Sequence, residues 1–277
     1  MKKLMNRILQ FISFRVIGRN RTRKAMVQLF EAFDLDLLEV AHKEMGVNNY
    51  GSNKETGEEF LLKSFLKTRY KDQPITIFDV GANSGEYSLM LKDIFPVANI
   101  YSFEPNPITF RILEEKTKLI NNIQSFSVGL GSTESTMEIY TYKNDLASEH
   151  ASVIKEVMVS LHQSDQVENF QVPIICLDNF CKDHSIEKID FLKIDTEGFE
   201  LEVLKGATKL INEKKIEIIQ FEFNEMNIYS KAFLNDFYKI LPDCKFYRLS
   251  KDKLIPLGAY NSSYEIFRYQ NIIALLS

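Results

Sequence analysis

Two patterns of apolar and polar residues alternate along most of this chain. Short apolar runs predict buried strands, and stretches in which apolar residues recur every three or four positions predict amphipathic helices. From residue 75 onward the two alternate, as a right-handed parallel sheet requires. The predicted strands are 75–80, one ending at 104, 125–128, 189–195 and 217–223, with 244–250 and 271–277 as a reversed closing pair.

The first 72 residues follow a helical pattern only. Residues 25–45 read as helix, and the predicted core face consists of Leu29, Phe30, Phe33, Leu37, Leu38 and Val40. A polar, Gly-containing loop at 48–57 separates them from a second amphipathic helix at 58–70. We therefore expect an N-terminal helical extension, residues 1–72, followed by one α/β domain, residues 73–277.

The alternation is interrupted once inside the domain. Residues 137–142 alternate like an added strand and 171–177 form another, but 143–170 match neither pattern and contain His150 and His162. One interpretation is an insertion that covers the acceptor substrate as a lid. The alternative is a plain surface excursion.

Composition narrows the class of protein. The chain has 277 residues, of which 45% are hydrophobic and 26% charged, and its net charge of −4 gives no reason to expect a nucleic-acid partner. Its three cysteines have no metal-ligand spacing, which favours a reduced, cytoplasmic protein. No apolar run is long enough to predict a membrane span. The oligomeric state is not encoded in any pattern that we can identify.

The basic residues are unevenly distributed. Residues 1–24 contain eight Lys or Arg and no acid, and apolar residues recur there at helical spacing. A basic amphipathic helix of this kind can lie on an anionic membrane, here the inner membrane surface. Packing against the domain or a partner subunit is the favoured alternative.

The segment 75–104 contains the strongest chemical signal. Its first strand ends at Asp79-Val80-Gly81 and leads through Asn83 and Gly85 into a helix, and the second strand ends at Glu104. Gly81 permits a sharp turn, Gly85 permits close approach of a ligand, and the helix N-terminus offers N–H groups to an anionic group. Glu104 follows Gly81 at the distance expected of an acid that binds ribose hydroxyls. This arrangement predicts a nucleotide pocket.

The nucleotide is predicted to be S-adenosylmethionine. A dinucleotide-binding loop has a glycine where this chain has Asn83, so a pyrophosphate fits poorly, whereas Asp79 can pair with the ammonium of the methyl donor. Binding of NAD is the alternative. The predicted cofactor-binding residues are Asp79, Gly81, Ala82, Asn83, Gly85, Tyr87, Glu104, Pro105, Asn106 and Gly129.

Four blocks resemble one known family. FDVGANSGEYS, SFEPNP, LDNF and IDFLKIDTEGFELEVLKGA occur in order across residues 78–207 and are similar to the FkbM family of S-adenosylmethionine-dependent methyltransferases. The resemblance implies a Rossmann-like seven-stranded class I sheet with helices on both faces. It also implies O-methylation of a sugar or glycan hydroxyl or of a secondary metabolite. An NAD-dependent oxidoreductase and a non-catalytic scaffold that retains the pocket are the alternatives.

The predicted catalytic residues follow the fourth parallel strand. Asp195 is the candidate base that takes the acceptor's proton, and Glu197 would orient it or hold an acceptor hydroxyl. Lys193 lies two residues before Asp195, so both side chains share a face and can form an ion pair. The simpler interpretation is that acids here complement a helix dipole. A hard cation such as Mg²⁺ held by Asp195, Glu197 and Glu222 is a less favoured rival, and no metal site is predicted.

Overall fold

The computed structural model describes residues 18–142 and 167–277, and the chain divides after residue 45 into two compact units. The first unit contains helices α1 (Arg19–Ala32) and α2 (Leu37–Glu44). The predicted helical segment 25–45 is therefore helical, but it is interrupted between Ala32 and Leu37, and its first helix begins earlier, at Arg19. The predicted core face is wrong, because neither helix has a buried residue and Phe33 and Leu38 are 69% and 61% exposed.

The second unit is an α/β fold. Its helices are α3 (58–70, with a π-helical middle), α4 (Glu86–Ile94), α5 (Pro107–Thr117), α6 (Leu177–Asp183), α7 (Glu200–Lys205), α8 (Thr208–Asn212), α9 (Met226–Ser230) and α10 (Leu234–Ile240). Its strands are β1 (Thr76–Val80), β2 (Asn99–Phe103), β3 (Ile123–Phe126), β4 (Gly129–Leu130), β5 (Ser135–Tyr142), β6 (Val167–Ile175), β7 (Ile189–Ile194), β8 (Ile216–Phe223), β9 (Cys244–Ser250), β10 (Lys253–Leu257) and β11 (Gln270–Leu276).

The main sheet has the order β10-β9-β11-β8-β7-β1-β2-β3. Strands β1, β2, β3, β7 and β8 run parallel, and β11 is antiparallel to both β8 and β9. The Rossmann-like methyltransferase topology with its reversed closing pair is therefore confirmed. The expected number of strands was one too few, because β10 adds an eighth strand at the edge. β10 contains Pro256, which lacks a donor and is tolerated in an edge strand.

Helices cover both faces of this sheet, as expected. On one face α3 and α4 pack through Leu61, Leu62 and Leu91 against alternate residues of the central strands. On the other face α6, α7 and α10 pack against the intervening residues, including Phe78 and Phe221. The two apolar layers explain why the central strands read as continuous apolar runs. Helix α3, assigned from sequence to the extension, packs within the second unit.

A second, three-stranded sheet has the order β4-β6-β5. The strands predicted at 137–142 and 171–177 belong to it, and β5 and β6 pair antiparallel up to Tyr142 and Val167. The predicted insertion at 143–170 is therefore shorter, because 167–170 lie in β6. Residues 143–166, with His150 and His162, lie outside the described residues, as do residues 1–17. None of the described helices is long and apolar enough to cross a membrane.

Candidate active site

A cavity of about 290 Å³ lies at the carboxyl ends of β1, β2 and β7. Of the thirteen predicted site residues, ten line this cavity. These are Gly81, Ala82, Asn83, Tyr87, Glu104, Pro105, Gly129, Lys193, Asp195 and Glu197. The predicted donor-binding and catalytic groups thus lie in one cavity, while Asp79, Gly85 and Asn106 lie behind its wall.

Two glycines shape the loop after β1 in different ways. Gly81 has φ +78°, and a Cβ there would lie 1.7 Å from the carbonyl oxygen of Asp195, so glycine permits the loop to approach the end of β7. Gly85 has φ +87°, and its Cβ would lie 2.8 Å from Leu113 Cδ1 on α5. Gly85 therefore serves close packing of the loop on α5, and its predicted contact with a ligand has no support in this geometry.

The amides of residues 81–85 are all used within the protein. Gly81 and Ala82 donate to the carbonyl of Phe103 at 3.0 and 2.9 Å, and Gly85 donates to the carbonyl of Ala82. The remaining two amides donate to the side chains of Glu104 and Asn83. The five loop amides therefore offer no free donor. The donors predicted for an anionic group are the N–H groups at the N-terminus of α4, which begins only at Glu86, so that prediction stays a prediction.

Glu104 is the buried acid at the end of β2. It is 7% exposed, and its two carboxylate oxygens accept from Asn83 N at 2.9 Å and Asn106 N at 2.8 Å. Burial raises its pKa to about 7, although these two hydrogen bonds act in the opposite direction. Each oxygen of a carboxylate has a second lone pair, so Glu104 can still accept two hydroxyl groups.

Asn106 supports Glu104 from behind the wall. Its side chain accepts from Ile108 N at 3.0 Å as the N-cap of α5, with Pro107 at the first helical position. Because Asn106 is fully buried, its part in the site is to fix the turn that places the carboxylate.

Asp79 lies beneath the cavity rather than in it. Its side chain is fully buried, accepts from Ser88 Oγ at 2.6 Å and lies 3.6 Å from Lys193 Nζ. One of its oxygens has no hydrogen-bond partner. Since Asp79 is enclosed by Ser88 and Lys193, the geometry gives no support to its predicted contact with the donor ammonium.

Lys193 is a buried cation that joins several acids. Its Nζ lies 3.1 Å from Asp195 Oδ2, so the predicted ion pair is present, and 4.7 Å from the centre of the Tyr87 ring. Burial lowers the pKa of Lys193, but the carboxylates of Asp195, Asp79 and Glu58 outweigh burial, and the net pKa is raised. Asp195 is 37% exposed at its side chain and so combines a buried ion pair with access to the cavity.

The loop after β7 is held by Glu200. One oxygen of Glu200 accepts from Thr196 N, Thr196 Oγ1 and Gly198 N at 2.9, 3.1 and 3.1 Å. These bonds fix a turn in which Glu197 has φ +55° and Gly198 has φ +99°. After this turn, α7 ends at Lys205 and α8 begins at Thr208.

Glu222 lies beside this loop at the end of β8. Burial raises its pKa well above the usual range, and the nearby carboxylates of Asp195 and Glu197 add to the effect. Across the described parts of the chain, no group of three or more His, Cys, Asp or Glu side chains is arranged to hold a metal ion. The suggested magnesium site at Asp195, Glu197 and Glu222 is therefore without a preformed ligand set.

Residues that the sequence analysis missed complete the walls. Ile139 and Ile174, from the small sheet, and Val128 form apolar walls beside Pro105. Glu58, at the start of α3, and Asn53, in the loop before it, also line the cavity. No local signal separates Glu58 from its exposed neighbour Glu59, since both are acids in the first turn of a helix.

The segment that contains these site residues is similar in sequence to a known protein family. A sequence model of the family described as "Methyltransferase FkbM domain" matches residues 79–247, which is more than half of the chain. The match begins at Asp79 and includes all thirteen predicted site residues. Asn53 and Glu58 lie before it.

Three curated relatives are similar at low identity. "Methyltransferase sdnD" of Sordaria araneosa is 29% identical over 47% of this chain and 60% of its own length. "Hexuronic acid methyltransferase AglP" of Haloferax volcanii is 24% identical over 73% of this chain and 77% of its own length. "2-O-methyltransferase NoeI" of Sinorhizobium fredii is 20% identical over 65% and 75%. The chain thus spans about three-fifths to three-quarters of these relatives.

Among solved structures, the plantazolicin methyltransferase BpumL in complex with SAH is similar with a TM-score of 0.43. Its sequence is 9% identical, and the match covers 81% of this chain and 84% of that one.

Proposed function

This chain belongs to the FkbM methyltransferase family, and from that premise we propose that it methylates a hydroxyl oxygen of a sugar or glycan. As an S-adenosylmethionine-dependent methyltransferase it requires a donor pocket and an acceptor site. The observation that supports the proposal is the placement of Glu104 and Asp195 in one cavity, one buried and one accessible. The family assignment selects methyl transfer over hydride transfer by NAD.

The cavity fits the methyl donor in its chemistry. Glu104 has acceptor capacity left for two ribose hydroxyls, and Val128, Ile139 and Ile174 supply an apolar surface for an adenine ring. When bound, S-adenosylmethionine supplies a methyl group on a positively charged sulfur. The protein's main task is then to align donor and acceptor, an effect that can contribute about 7–11 kcal/mol in the best cases.

The proposed base is Asp195. As the bond from the acceptor oxygen to the methyl carbon forms and the sulfur–methyl bond breaks, the hydroxyl proton passes to the Asp195 carboxylate. The Nζ of Lys193 lies 3.1 Å from Asp195 Oδ2 and forms an ion pair with that carboxylate. Glu197, on the adjacent loop held by Glu200, is positioned to accept a hydrogen bond from an acceptor hydroxyl.

The choice of a sugar hydroxyl is supported by two relatives. The name of AglP specifies a hexuronic acid and the name of NoeI specifies 2-O-methylation. Secondary metabolites remain the second acceptor class.

The experiment is methyl transfer from donor carrying a deuterated methyl group to a panel of acceptors. Oligosaccharides with hexuronic acid or neutral hexose ends form one arm and polyketide alcohols the other, and mass spectrometry locates the label. We expect labelled oligosaccharide. Labelling of the polyketide arm alone would contradict the proposed acceptor class.

Replacement of the base tests the mechanism. We expect Asp195→Asn to lower kcat about 10²- to 10⁴-fold while donor affinity changes little, because proton removal is lost and the cavity is kept. Asp93→Asn, on the exposed side of α4, is the matched control and should leave kcat unchanged. An unchanged kcat in Asp195→Asn would exclude it as the base.

Of residues 1–24, the structure describes only 18–24. Contact of residues 1–24 with an anionic membrane, a cytoplasmic location and a boundary near residue 72 stay predictions. Sedimentation with anionic vesicles, compared between the full chain and one lacking 1–24, tests the first. Equal sedimentation would contradict it.

A further inference from the structure

Glu58 is a buried carboxylate in the cavity that the proposed reaction does not yet use. It is 8% exposed and comes from the first turn of α3, before the segment that matches the family. Its Oε2 accepts from Thr56 Oγ1 at 2.9 Å and its Oε1 accepts from Gln220 Nε2 at 3.1 Å. Each carboxylate oxygen of Glu58 therefore accepts one hydrogen bond and can accept a second. The two existing bonds hold the Glu58 side chain in place.

Glu58 is held by a chain of side-chain hydrogen bonds. Gln220, on β8, accepts from Tyr87 Oη at 3.1 Å and donates to Asn271 Oδ1 at 3.0 Å. Tyr87 lines the same cavity and Asn271 lies on β11. A carboxylate fixed from three elements of the fold is positioned rather than mobile, as a ligand-binding group requires.

The charges around Lys193 do not balance. Three carboxylates, those of Asp79, Asp195 and Glu58, interact with this one ammonium group. Asp195 and Asp79 lie 3.1 and 3.6 Å from Lys193 Nζ, whereas the Glu58 carboxylate is bonded to the neutral side chains of Thr56 and Gln220. Among the described residues, Glu58 is therefore the acid of this group that has no cation within ion-pair distance. A second cation in the cavity beside Glu58 would restore the balance.

The other acids of the cavity are engaged elsewhere. Glu104 lies at the β2 end, Glu86 is 77% exposed and pairs with Lys116 at 2.6 Å, and Asp195 pairs with Lys193. Glu197 lies on the loop that follows Asp195. Asp79 is enclosed. We propose that Glu58 binds the ammonium group at the amino-acid end of the methyl donor. This inference rests on the proposed function.

Two ligands distinguish the contact between Glu58 and the ammonium group from the other contacts in the pocket. S-adenosylhomocysteine carries the amino-acid end, and 5′-methylthioadenosine keeps the adenosine and the sulfur but lacks that end. Calorimetric titration of the full chain with both ligands is compared for the wild type, Glu58→Gln and the control Glu59→Gln. Glu59 is the next residue on α3, is exposed and pairs with Lys63 outside the cavity.

We expect Glu58→Gln to weaken the binding of S-adenosylhomocysteine about 10- to 100-fold, which is the size of a lost charge-assisted hydrogen bond. The affinity for 5′-methylthioadenosine should change by less than about threefold. Glu59→Gln should change neither ligand. Equal weakening of both ligands, or of neither, in Glu58→Gln overturns the inference. Binding of neither ligand to the wild type overturns the donor pocket itself, so the two failures are distinguishable.

A second measurement needs no variant. Wild-type chain is titrated with S-adenosylhomocysteine and with its analogue that lacks only the amino group. The inference predicts about a 10- to 100-fold loss for the analogue, and equal affinities overturn it. The loss should shrink as the pH is lowered, because burial raises the pKa of Glu58 and a protonated carboxyl no longer attracts a cation.

Discussion

The two ends of the cavity are built differently. The β2 end relies on one carboxylate, Glu104, fixed by backbone amides of Asn83 and Asn106 from the same stretch of chain. The β7 end relies on charged side chains that come from different parts of the fold. There Lys193 lies among carboxylates that include Asp195 and Glu58. One end is a rigid acceptor of hydrogen bonds and the other is a cluster of charges.

The difference explains what each end can do. A carboxylate held by backbone amides keeps its position whatever is bound, which suits recognition of an invariant ribose. A cluster with excess negative charge responds to an incoming cation and to loss of a proton, which suits the reacting end of a donor and the base of an acceptor. Changes at the two ends should therefore have separable effects.

The largest effect on stability is expected where the two ends meet, at Gly81. Gly81→Ala places a Cβ 1.7 Å from the carbonyl oxygen of Asp195 at φ +78°, so we expect a loss of more than about 3 kcal/mol in the free energy of unfolding. Urea denaturation measures it. The matched control is Gly258→Ala, whose Cβ would lie 3.8 Å from Tyr264 Oη; a change within about 0.5 kcal/mol is expected. Similar changes in the free energy of unfolding for both variants would show that the fold tolerates a Cβ at position 81.

The next effect is a pH dependence from the β2 end. Glu104 has a pKa of about 7 in the folded protein against a usual value of 4.5, so the folded state holds its proton more tightly. The stability from this group is fully present below about pH 4.5 and is lost as the pH rises through 7, a fall of about 3 kcal/mol. Glu104→Gln should remove this part of the fall.

Urea denaturation of both proteins at pH 5 and pH 8 measures the difference. Glu58, Glu200 and Glu222 also have raised pKa values, so the wild type retains other contributions and only the difference between the two proteins is assigned to Glu104. An identical pH dependence in both proteins would place the Glu104 pKa near its usual value.

The smallest effect tests the side-chain network at the β7 end. Tyr87→Phe removes the hydroxyl that donates to Gln220 at 3.1 Å, and we expect a loss of about 1 kcal/mol in stability. Tyr140→Phe removes an exposed hydroxyl bonded to Glu138 and should change stability by less than about 0.5 kcal/mol. Thermal and urea unfolding of the pair decide whether the buried bond matters more than the exposed one.

The same contrast explains how much could be predicted from the sequence. Gly81, Asn83, Glu104 and Asn106 lie within 26 positions of one another, and each has a local reason to be where it is: a turn, a strand end or a helix cap. The parallel strands and the reversed closing pair were predictable because apolar runs and their order determine the sheet.

The β7 end depends on contacts between residues that are far apart in the sequence, and local sequence patterns do not predict such contacts. Glu58 and Gln220 are 162 positions apart, and only the packing of α3 on the sheet brings them together. Asp79 and Gly85 occupy the positions that the motif predicts. Asp79, however, is buried behind Lys193, and Gly85 packs on Leu113, so neither lines the cavity. The apolar residues of α1 and α2 are helical as expected, yet helical periodicity alone does not say whether a face is covered.

Calorimetric titration with S-adenosylhomocysteine, for the wild type and for Glu104→Ala, is the most direct test of the donor pocket. We expect saturable one-to-one binding to the wild type. The substitution should weaken it at least about 100-fold, because the two hydrogen bonds from the ribose hydroxyls to the Glu104 carboxylate are lost. Absence of binding to the wild type, or equal affinity in the variant, would contradict it.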